Sequence, residues 1–300
     1  MKVIDAHAHL VHNPAGLDGL AESGEFEEIW LMDLSAIGKL EGFELATQPE
    51  VLETIRRYPG FFRGFGFIDL DRAAPAKVRE LRDLGFEGLK PYKQLNPYDD
   101  FGYFPVYAEA AKLGMPILFH TGLIAPGEPF DGTPKRGFGS GNMRPSQLAG
   151  IAEAFPELSI IAGHLGWPYL AETEQNLYYY PNITGDISGY RRSIDVLPEL
   201  LDRRAHDGTE RYFNHKLHFA TDEFYGLPEN NAKALKLKTF WELWFEFIGG
   251  VYYRWGQPKE RERFFLGNAR EILADRVKDK IGQERERAVG GGDIQTLTLS

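Results

Sequence analysis

Short apolar runs recur along the chain, and segments with helical spacing follow most of them. Eight of these runs have the length and apolar content of buried strands: Lys2–Asp5, Ile29–Asp33, Phe62–Ile68, Phe86–Lys90, Pro116–His120, Leu158–His164, Asn182–Asp186 and Lys216–Asp222. The helices predicted between them include Glu50–Tyr58, Ala74–Leu84, Pro105–Leu113, Ser146–Phe155 and Ile194–Arg204. Gly85 and Gly114 stand just past two of these helices, where a left-handed backbone ends a helix. This alternation indicates parallel βαβ units and an α/β fold.

Eight such units suit a closed (β/α)8 TIM barrel, although a doubly wound open sheet has the same local pattern. No G-x-G-x-x-G follows the first strand, which weakens the dinucleotide-binding version. Thr121–Arg144 is rich in Gly and Pro and predicts a long loop after strand 5 of a distorted barrel. Such a loop either builds the substrate site or is a surface insertion. We predict one barrel domain over residues 1–280, followed by a tail, 281–300, that is flexible or docks on a neighbour.

Charge and composition narrow the classes of function. The net charge of -10 argues against a nucleic-acid binder. The chain has no cysteine, so imidazoles and carboxylates must bind any metal. It has neither a signal-peptide pattern nor an apolar run of the roughly 18 residues that span a membrane. We therefore expect a cytoplasmic protein whose partner is a small molecule, and the aromatic-rich segment 240–247 leaves open a homodimer.

Histidines and one aspartate stand where the predicted strands end. His7 and His9 follow the first strand two residues apart, so both rings can reach one ion, but a lone His-x-His is a weak motif. His120, His164 and Asp222 end later strands, and strand ends converge on one face of a barrel. Each histidine alone could instead be a buried ring satisfied by backbone groups. Together they indicate a catalytic divalent metal site of Zn²⁺, Mn²⁺ or Fe²⁺ type.

These residues belong to an ordered set of motifs that spans roughly Met1–Asp275. The set consists of Ile4–His9, Gly88–Lys90, Phe119–Gly122, Gly163–Gly166, Thr221-Asp222 and Leu266–Ala269. It resembles the amidohydrolase superfamily, in particular the amidohydrolase-related (amidohydrolase 2) branch that includes aminocarboxymuconate-semialdehyde decarboxylase. The resemblance implies the barrel and metal ligation by His7, His9, His120 and Asp222.

The resemblance also implies catalytic roles for His164, Asp222 and Lys90. The residue that matches His164 ligates a second ion in two-metal relatives and handles substrate or protons in one-metal relatives, and we favour the second role. The lysine that matches Lys90 is carboxylated and bridges two ions in some relatives, and could bind a substrate carboxylate in others. We favour one divalent ion, with Zn²⁺ preferred over Mn²⁺ or Fe²⁺. Asp222 could also orient or deprotonate water.

Further residues are candidates for contacting the substrate. Arg144 and Arg191 could hold a carboxylate through paired hydrogen bonds, and Tyr92 and Trp167 could line the pocket. We predict a hydrolase that uses metal-activated water on an amide, ester or lactone carbonyl of a small carboxylated substrate. The alternative is a non-oxidative decarboxylase of an aromatic or unsaturated acid, because the same ligands serve both reactions. A non-catalytic metal-binding barrel is a third hypothesis, against which the intact ligand set argues.

Overall fold

Eight parallel strands surround the centre of the molecule. The computed structural model describes residues 1–124, 140–189, 215–247 and 258–273. The barrel strands are β1 (Val3–Leu10), β2 (Phe26–Met32), β5 (Phe62–Ile68), β6 (Gly88–Pro91), β7 (Ile117–His120), β8 (Ile160–Gly163), β9 (Ile183–Asp186) and β10 (Leu217–His218). Their order in the sheet follows their order in the chain, and a ninth strand, β11 (Phe224–Tyr225), pairs with β1. A small antiparallel hairpin of β3 (Lys39–Leu40) and β4 (Phe43–Glu44) lies between β2 and β5 in the chain.

The barrel closes between β10 and β1 through the segment that follows β10. The N–H of Ala6 donates to the carbonyl of Phe219 at 3.1 Å, and the N–H of Asp222 donates to the carbonyl of His7 at 2.8 Å. Strand β11 continues this pairing in parallel with the end of β1. Ordered hydrogen bonds therefore run around the whole ring, and the TIM barrel is confirmed over the open sheet.

Helices cover the outside of the barrel and leave its carboxyl end accessible. They are α1 (Leu17–Glu22), α2 (Gln48–Arg57), α3 (Pro75–Leu84), α4 (Phe104–Lys112), α5 (Gln147–Ala154), α6 (Leu170–Tyr179), α7 (Pro228–Trp244) and α8 (Pro258–Glu262). Helices α2 to α5 match the predicted helices to within two residues at each end, and the predicted helix Ile194–Arg204 lies outside the described residues. Gly85 and Gly114 have φ angles of 112° and 60°, as the helix-ending prediction requires. Within the described ranges, no helix is both long and apolar enough to cross a membrane.

A bulge in β1 decides which way its histidines face. From Asp5 to Ala8 the strand takes three steps, whereas its partner β2 takes two. Ala6 packs in the cluster inside the barrel, while Ala8 packs in the cluster between the strands and the helices. In a regular strand these two alanines would share a face, and His7 and His9 would turn away from the barrel centre. The predicted strand Lys2–Asp5 is therefore too short, since the histidines lie within β1 and not beyond it.

The end of the described chain fills the amino end of the barrel. Leu266, Ala269 and Ile272 pack inside the ring against apolar side chains of the strands. Nearby, the side-chain amide of Asn268 donates to the carbonyl of Leu217 at 2.7 Å, which fixes this segment to β10. The Leu266–Ala269 motif is therefore structural, because it seals the barrel at the end opposite the predicted site.

Asp5 ties β1 to the segment that closes the barrel. Its fully buried carboxylate accepts hydrogen bonds from the backbone N–H of Thr221 at 2.9 Å, from the Thr221 hydroxyl at 2.5 Å and from the Tyr225 hydroxyl at 2.8 Å. Burial raises the pKa of Asp5 to about 7, against the opposing effect of these donors. The contact connects residues more than two hundred positions apart and holds the chain immediately before Asp222.

Replacing Asp5 tests this connection. We expect Asp5→Ala to lower the free energy of unfolding by about 3 kcal/mol, because it leaves buried donors on Thr221 and Tyr225 without an acceptor. Asp5→Asn keeps one acceptor oxygen and should lose less. Denaturant unfolding followed by circular dichroism measures both values, and equal stability of Asp5→Ala and the parent protein would contradict the assigned role.

Candidate active site

A cavity of about 560 Å³ opens at the carboxyl ends of the barrel strands. The predicted residues that line it are His7, His9, Lys90, Tyr92, His120, His164, Trp167 and Asp222. They come from strands spread over the whole chain, so the barrel topology alone brings them together. Their individual roles remain predictions that the geometry supports to different degrees.

The strongest metal-binding geometry involves His7, His9 and Asp222. The Oδ1 atom of Asp222 lies 3.1 Å from Nε2 of His9 and 3.5 Å from Nε2 of His7. On the far side of the rings, Nδ1 of His7 lies 3.0 Å from Oδ2 of Asp186, and Nδ1 of His9 lies 3.4 Å from the carbonyl of Met32. Because both outer partners are acceptors, each Nδ1 carries the hydrogen and each Nε2 presents a lone pair. Two lone pairs and a carboxylate oxygen around one point fit a divalent cation.

His120 forms a pair with His164 at the other side of the cavity. Nδ1 of His120 lies 3.1 Å from Nε2 of His164, and Nε2 of His120 lies 2.9 Å from the carbonyl of Leu123. Since a carbonyl only accepts, Nε2 of His120 carries the hydrogen and its Nδ1 is the nitrogen available to an ion. Three or more side chains can share an ion when their ligand atoms all lie within 4.8 Å of one another. Among the described residues, His120 belongs to no group of this kind. His7, His9 and Asp222 do form such a group, which supports their predicted ligand roles, and the ligand role of His120 stays a prediction without that support.

Gly122 allows the loops after β7 and β8 to meet, and so brings His120 beside His164. Its φ is +91°, and a Cβ atom there would lie 2.1 Å from the carbonyl oxygen of Trp167. The next residue, Leu123, donates its N–H to that same carbonyl at 3.0 Å. Only glycine fits this close approach of two backbones.

Lys90 is buried beside the metal-binding group. Its Nζ lies 3.1 Å from Nε2 of His7, to which the ammonium group donates. Burial lowers the pKa of Lys90 to about 8. Burial, together with the nearby Lys90 charge, lowers the pKa of His7 to about 4, so that His7 is neutral at pH 7, as a metal ligand must be. The position of Lys90 suits either predicted role, a bridge between two ions or a cation for a substrate carboxylate.

Asp222 is held in an unusual backbone conformation at the cavity wall. Its φ of 60° is left-handed, which is uncommon outside glycine and is typical of functional sites. Burial alone would raise the pKa of its carboxyl, but the neighbouring imidazoles of His164, His7 and His9 hold that pKa well below the usual range. Asp222 is therefore ionised at neutral pH, and its side chain remains 32% exposed toward the cavity.

The predicted substrate contacts divide into two groups. Tyr92 is buried in the cavity wall with its ring edge-on to His120, 5.0 Å between centroids, and Trp167 also lines the cavity. Arg144 is not brought to the cavity, because it pairs with Glu172. Arg191 lies outside the described residues.

Sequence reasoning missed Asp186, the last residue of β9, and Ser188, two residues beyond it. Asp186 lies against His7, and the Ser188 hydroxyl lies 2.8 Å from Nδ1 of His164. Burial opposes ionisation of Asp186, yet the nearby His7 and its hydrogen bond hold the pKa of Asp186 below its usual range. Asp186 ends a predicted strand just as His120 does, so the same rule would have found it. Ser188 has no comparable signal in the sequence.

An aromatic stack that the sequence did not reveal supports His9 from the rim. The ring of Phe224 stacks on His9 at 5.2 Å between centroids, and Phe43 of the β3–β4 hairpin stacks on Phe224 at 4.6 Å. The hairpin thereby forms one wall of the cavity and restricts the tilt of the His9 ring.

A barrel with a histidine and carboxylate cluster at its carboxyl end defines a metal-dependent TIM-barrel enzyme. A family model described as amidohydrolase, of the amidohydrolase 2 type, matches residues 4–274. The chain belongs to this family. A search of curated proteins found no match to the chain.

Solved structures share this fold at low sequence identity. An uncharacterised TIM-barrel protein from Bordetella bronchiseptica has a TM-score of 0.62 and 18% identity, with 92% of this chain and 100% of that chain covered. The 2,6-dihydroxybenzoate decarboxylase from Rhizobium has a TM-score of 0.57 and 18% identity, covering 91% and 99%. The 5-carboxyvanillate decarboxylase from Novosphingobium aromaticivorans, complexed with manganese and 4-hydroxy-3-methoxy-5-nitrobenzoic acid, has a TM-score of 0.54 and 15% identity, covering 86% and 79%.

Removal of His9 tests the metal-binding group. We expect His9→Ala to weaken Zn²⁺ and Mn²⁺ binding by more than about 100-fold, since even outer partners of ligands contribute 10- to 100-fold. His12→Ala is the matched control, because His12 is a surface residue that pairs with Glu50. Isothermal titration of the metal-free protein measures both affinities, and equal affinity of the two variants would contradict the assignment.

The same titration should show one ion per chain, whereas two ions with a carboxylated Lys90, visible in the intact mass, would overturn the one-metal prediction.

Proposed function

We propose that the protein is a hydrolase acting on an amide, ester or lactone carbonyl of a small carboxylated substrate. One divalent ion, with Zn²⁺ preferred, would be held by His7, His9, His120 and Asp222. The observation that carries the proposal is the position of Asp222 between two groups. Its Oδ1 lies 3.1 Å from His9 Nε2, and its Oδ2 lies 4.0 Å from Nδ1 of His164. A single ionised carboxylate thus borders both the metal-binding group and a histidine that can carry a proton.

This arrangement provides the proton transfers that hydrolysis requires. A divalent ion bound here would polarise a carbonyl oxygen and lower the pKa of water. Asp222 is ionised, faces the cavity and can accept the proton of the attacking water. His164 lines the same cavity and can donate a proton to the leaving group.

Lys90 supports a substrate that carries a carboxylate. Two lysines line the cavity among the described residues, Lys90 and Lys233. Lys233 forms an ion pair with Glu223 at 2.5 Å, whereas Lys90 contacts the neutral ring of His7. Asp222 and Asp186 stabilise the Lys90 charge from a distance, but no carboxylate among the described residues pairs with it directly, so an anionic group of the substrate could do so. Tyr92 and Trp167 would then bound the apolar part of the substrate.

Decarboxylation is the second candidate. The similar structures that act on 2,6-dihydroxybenzoate and 5-carboxyvanillate are decarboxylases. In that reaction Lys90 would hold the acid group before cleavage, and His164 would supply the proton that replaces it on the ring carbon. The same residues serve both reactions, so only the products distinguish them.

A substrate panel in water with isotopically labelled oxygen decides between these reactions. The metal-loaded protein is assayed with carboxylated lactones, esters and amides, and separately with hydroxybenzoates. We expect ring opening or bond cleavage with label in the new carboxylate and no release of CO2. Release of CO2 without incorporation of label would contradict hydrolysis and establish the decarboxylase.

Asp222→Asn tests the assigned base. The amide keeps a ligand oxygen but cannot accept the proton, so we expect kcat to fall about 100- to 10,000-fold. Asp18→Asn is the control, because Asp18 is an exposed carboxylate that pairs with Arg57 at 2.9 Å. Steady-state kinetics on the substrate found in the panel measures the loss. A kcat for Asp222→Asn equal to that of the control would exclude Asp222 as the base.

A further inference from the structure

The corner that follows β9 contacts both histidine groups of the site. It consists of Asp186, the last residue of β9, and of Ile187 and Ser188 directly after it. We propose that Asp186 and Ser188 are positioning residues that determine which ring nitrogens of His7 and His164 carry hydrogen, and so aim the other nitrogen of each ring into the cavity. The effect that we expect on kcat rests on the proposed function, whereas the placement of the hydrogens on the two rings does not.

Asp186 is the centre of this corner. Its Oδ2 lies 3.0 Å from Nδ1 of His7. Its Oδ1 accepts from the backbone N–H of His164 at 3.0 Å, from the N–H of Ser188 at 3.0 Å and from the Ser188 hydroxyl at 2.5 Å. The carboxylate is completely buried, and all of these partners donate to it. It therefore requires the hydrogen of His7 on Nδ1 and leaves Nε2 of that ring as a lone pair.

Ser188 places the hydrogen of His164. The Ser188 hydroxyl has one hydrogen, which it donates to Asp186, because an ionised carboxylate cannot donate. Its oxygen must then accept from Nδ1 of His164 at 2.8 Å. The opposite nitrogen, Nε2 of His164, faces Nδ1 of His120 across 3.1 Å, and because that Nδ1 carries no hydrogen, a proton on Nε2 of His164 is donated to it. The nitrogen of His164 that points away from Ser188 is thus the one that can accept or deliver a proton.

The same corner could in principle be a second ion site. One potential ligand atom from each of His7, His164 and Asp186 lies within 4.8 Å of the other two. However, the Ser188 oxygen lies 3.3 Å from His7 Nδ1, 2.8 Å from His164 Nδ1 and 2.5 Å from Asp186 Oδ1. The hydroxyl thus contacts all three groups, and the atoms of these groups that face it are already hydrogen-bonded to it or to one another. This geometry favours a hydrogen-bonded support over an ion site.

The corner also holds the backbone of His164. His164 and Leu165 have φ angles of 60° and 48°, two consecutive left-handed residues that are not glycine. Such conformations persist where the surroundings hold them in place. The bond from the His164 N–H to Asp186 does this directly. Asp186 therefore acts on both the backbone and, through Ser188, the ring of His164.

Substitution of Ser188 tests the inference in the full-length protein. Ser188→Ala removes the acceptor of the His164 Nδ1 hydrogen, whereas Ser188→Thr retains a hydroxyl. We expect isotope-labelled histidine in the metal-free protein to show hydrogen on Nδ1 of His164 throughout in the parent and Ser188→Thr, and a mixture of forms with and without hydrogen on Nδ1 in Ser188→Ala. His164→Asn assigns the signal. Ser23→Ala, at the end of α1, is the control and should match the parent.

Kinetics and metal affinity separate the two positioning roles. For Ser188→Ala we expect kcat to fall about 10- to 100-fold, with KM and the Kd for Zn²⁺ changing by less than about threefold. For Asp186→Asn we expect the Kd for Zn²⁺ to rise about 10- to 100-fold, because the amide can present a donor to His7 Nδ1. Denaturant unfolding shows whether each variant is folded before these values are compared.

The outcomes distinguish this inference from the proposed function. An unchanged His164 tautomer in folded Ser188→Ala overturns the positioning role, as does a loss of stability alone with unchanged tautomer and kcat. A shifted tautomer and a weakened Kd, in a protein that hydrolyses no member of the panel, support the positioning role and count against hydrolysis.

Discussion

Strand β1 both closes the ring of the barrel and carries two histidines of the site, and the geometry of the rest of the site depends on how it does both. It pairs along its length with β2 and with the segment after β10, which closes the ring. It also carries two imidazoles that have to face inward. The bulge between Asp5 and Ala8 satisfies both, since it changes the facing of the strand without ending its pairing. Asp5, at the base of the bulge, binds the returning chain through Thr221 and thereby places Asp222 opposite His7 and His9.

The site histidines are buried or partly buried and are held in fixed orientations because each of them has a hydrogen-bond partner on its outer side. Each histidine uses one ring nitrogen on a fixed acceptor and presents the other to the cavity. The acceptors differ in kind: a carboxylate for His7, backbone carbonyls for His9 and His120, and a serine hydroxyl for His164. Because a buried unpaired polar group is costly, these outer partners restrict the rings to one orientation. The pattern links His7 and the backbone of His164 through the single carboxylate of Asp186.

The choice between hydrolysis and decarboxylation depends more on the residues that line the cavity than on the histidines and Asp222. Metal-binding groups and proton carriers of this kind serve both hydrolysis and decarboxylation, and the two decarboxylases compared with the chain are 18% and 15% identical to it. Structural similarity at such low sequence identity establishes the barrel fold but does not identify the reaction. The cavity of this protein is lined by the buried cation Lys90, by the ring of Tyr92 and by Phe43 of the hairpin.

The sequence by itself determined the alternation of strands and helices, because the spacing of apolar residues is a local property. It predicted Phe62–Ile68 to the residue and placed His120 and His164 at the ends of their strands, although it missed Asp186. Tertiary structure decided the rest, since the deciding contacts join distant segments. The bulge that turns His7 inward, the link from Ser188 to His164 and the pairing of Arg144 with Glu172 away from the cavity all depend on neighbours that no local pattern records.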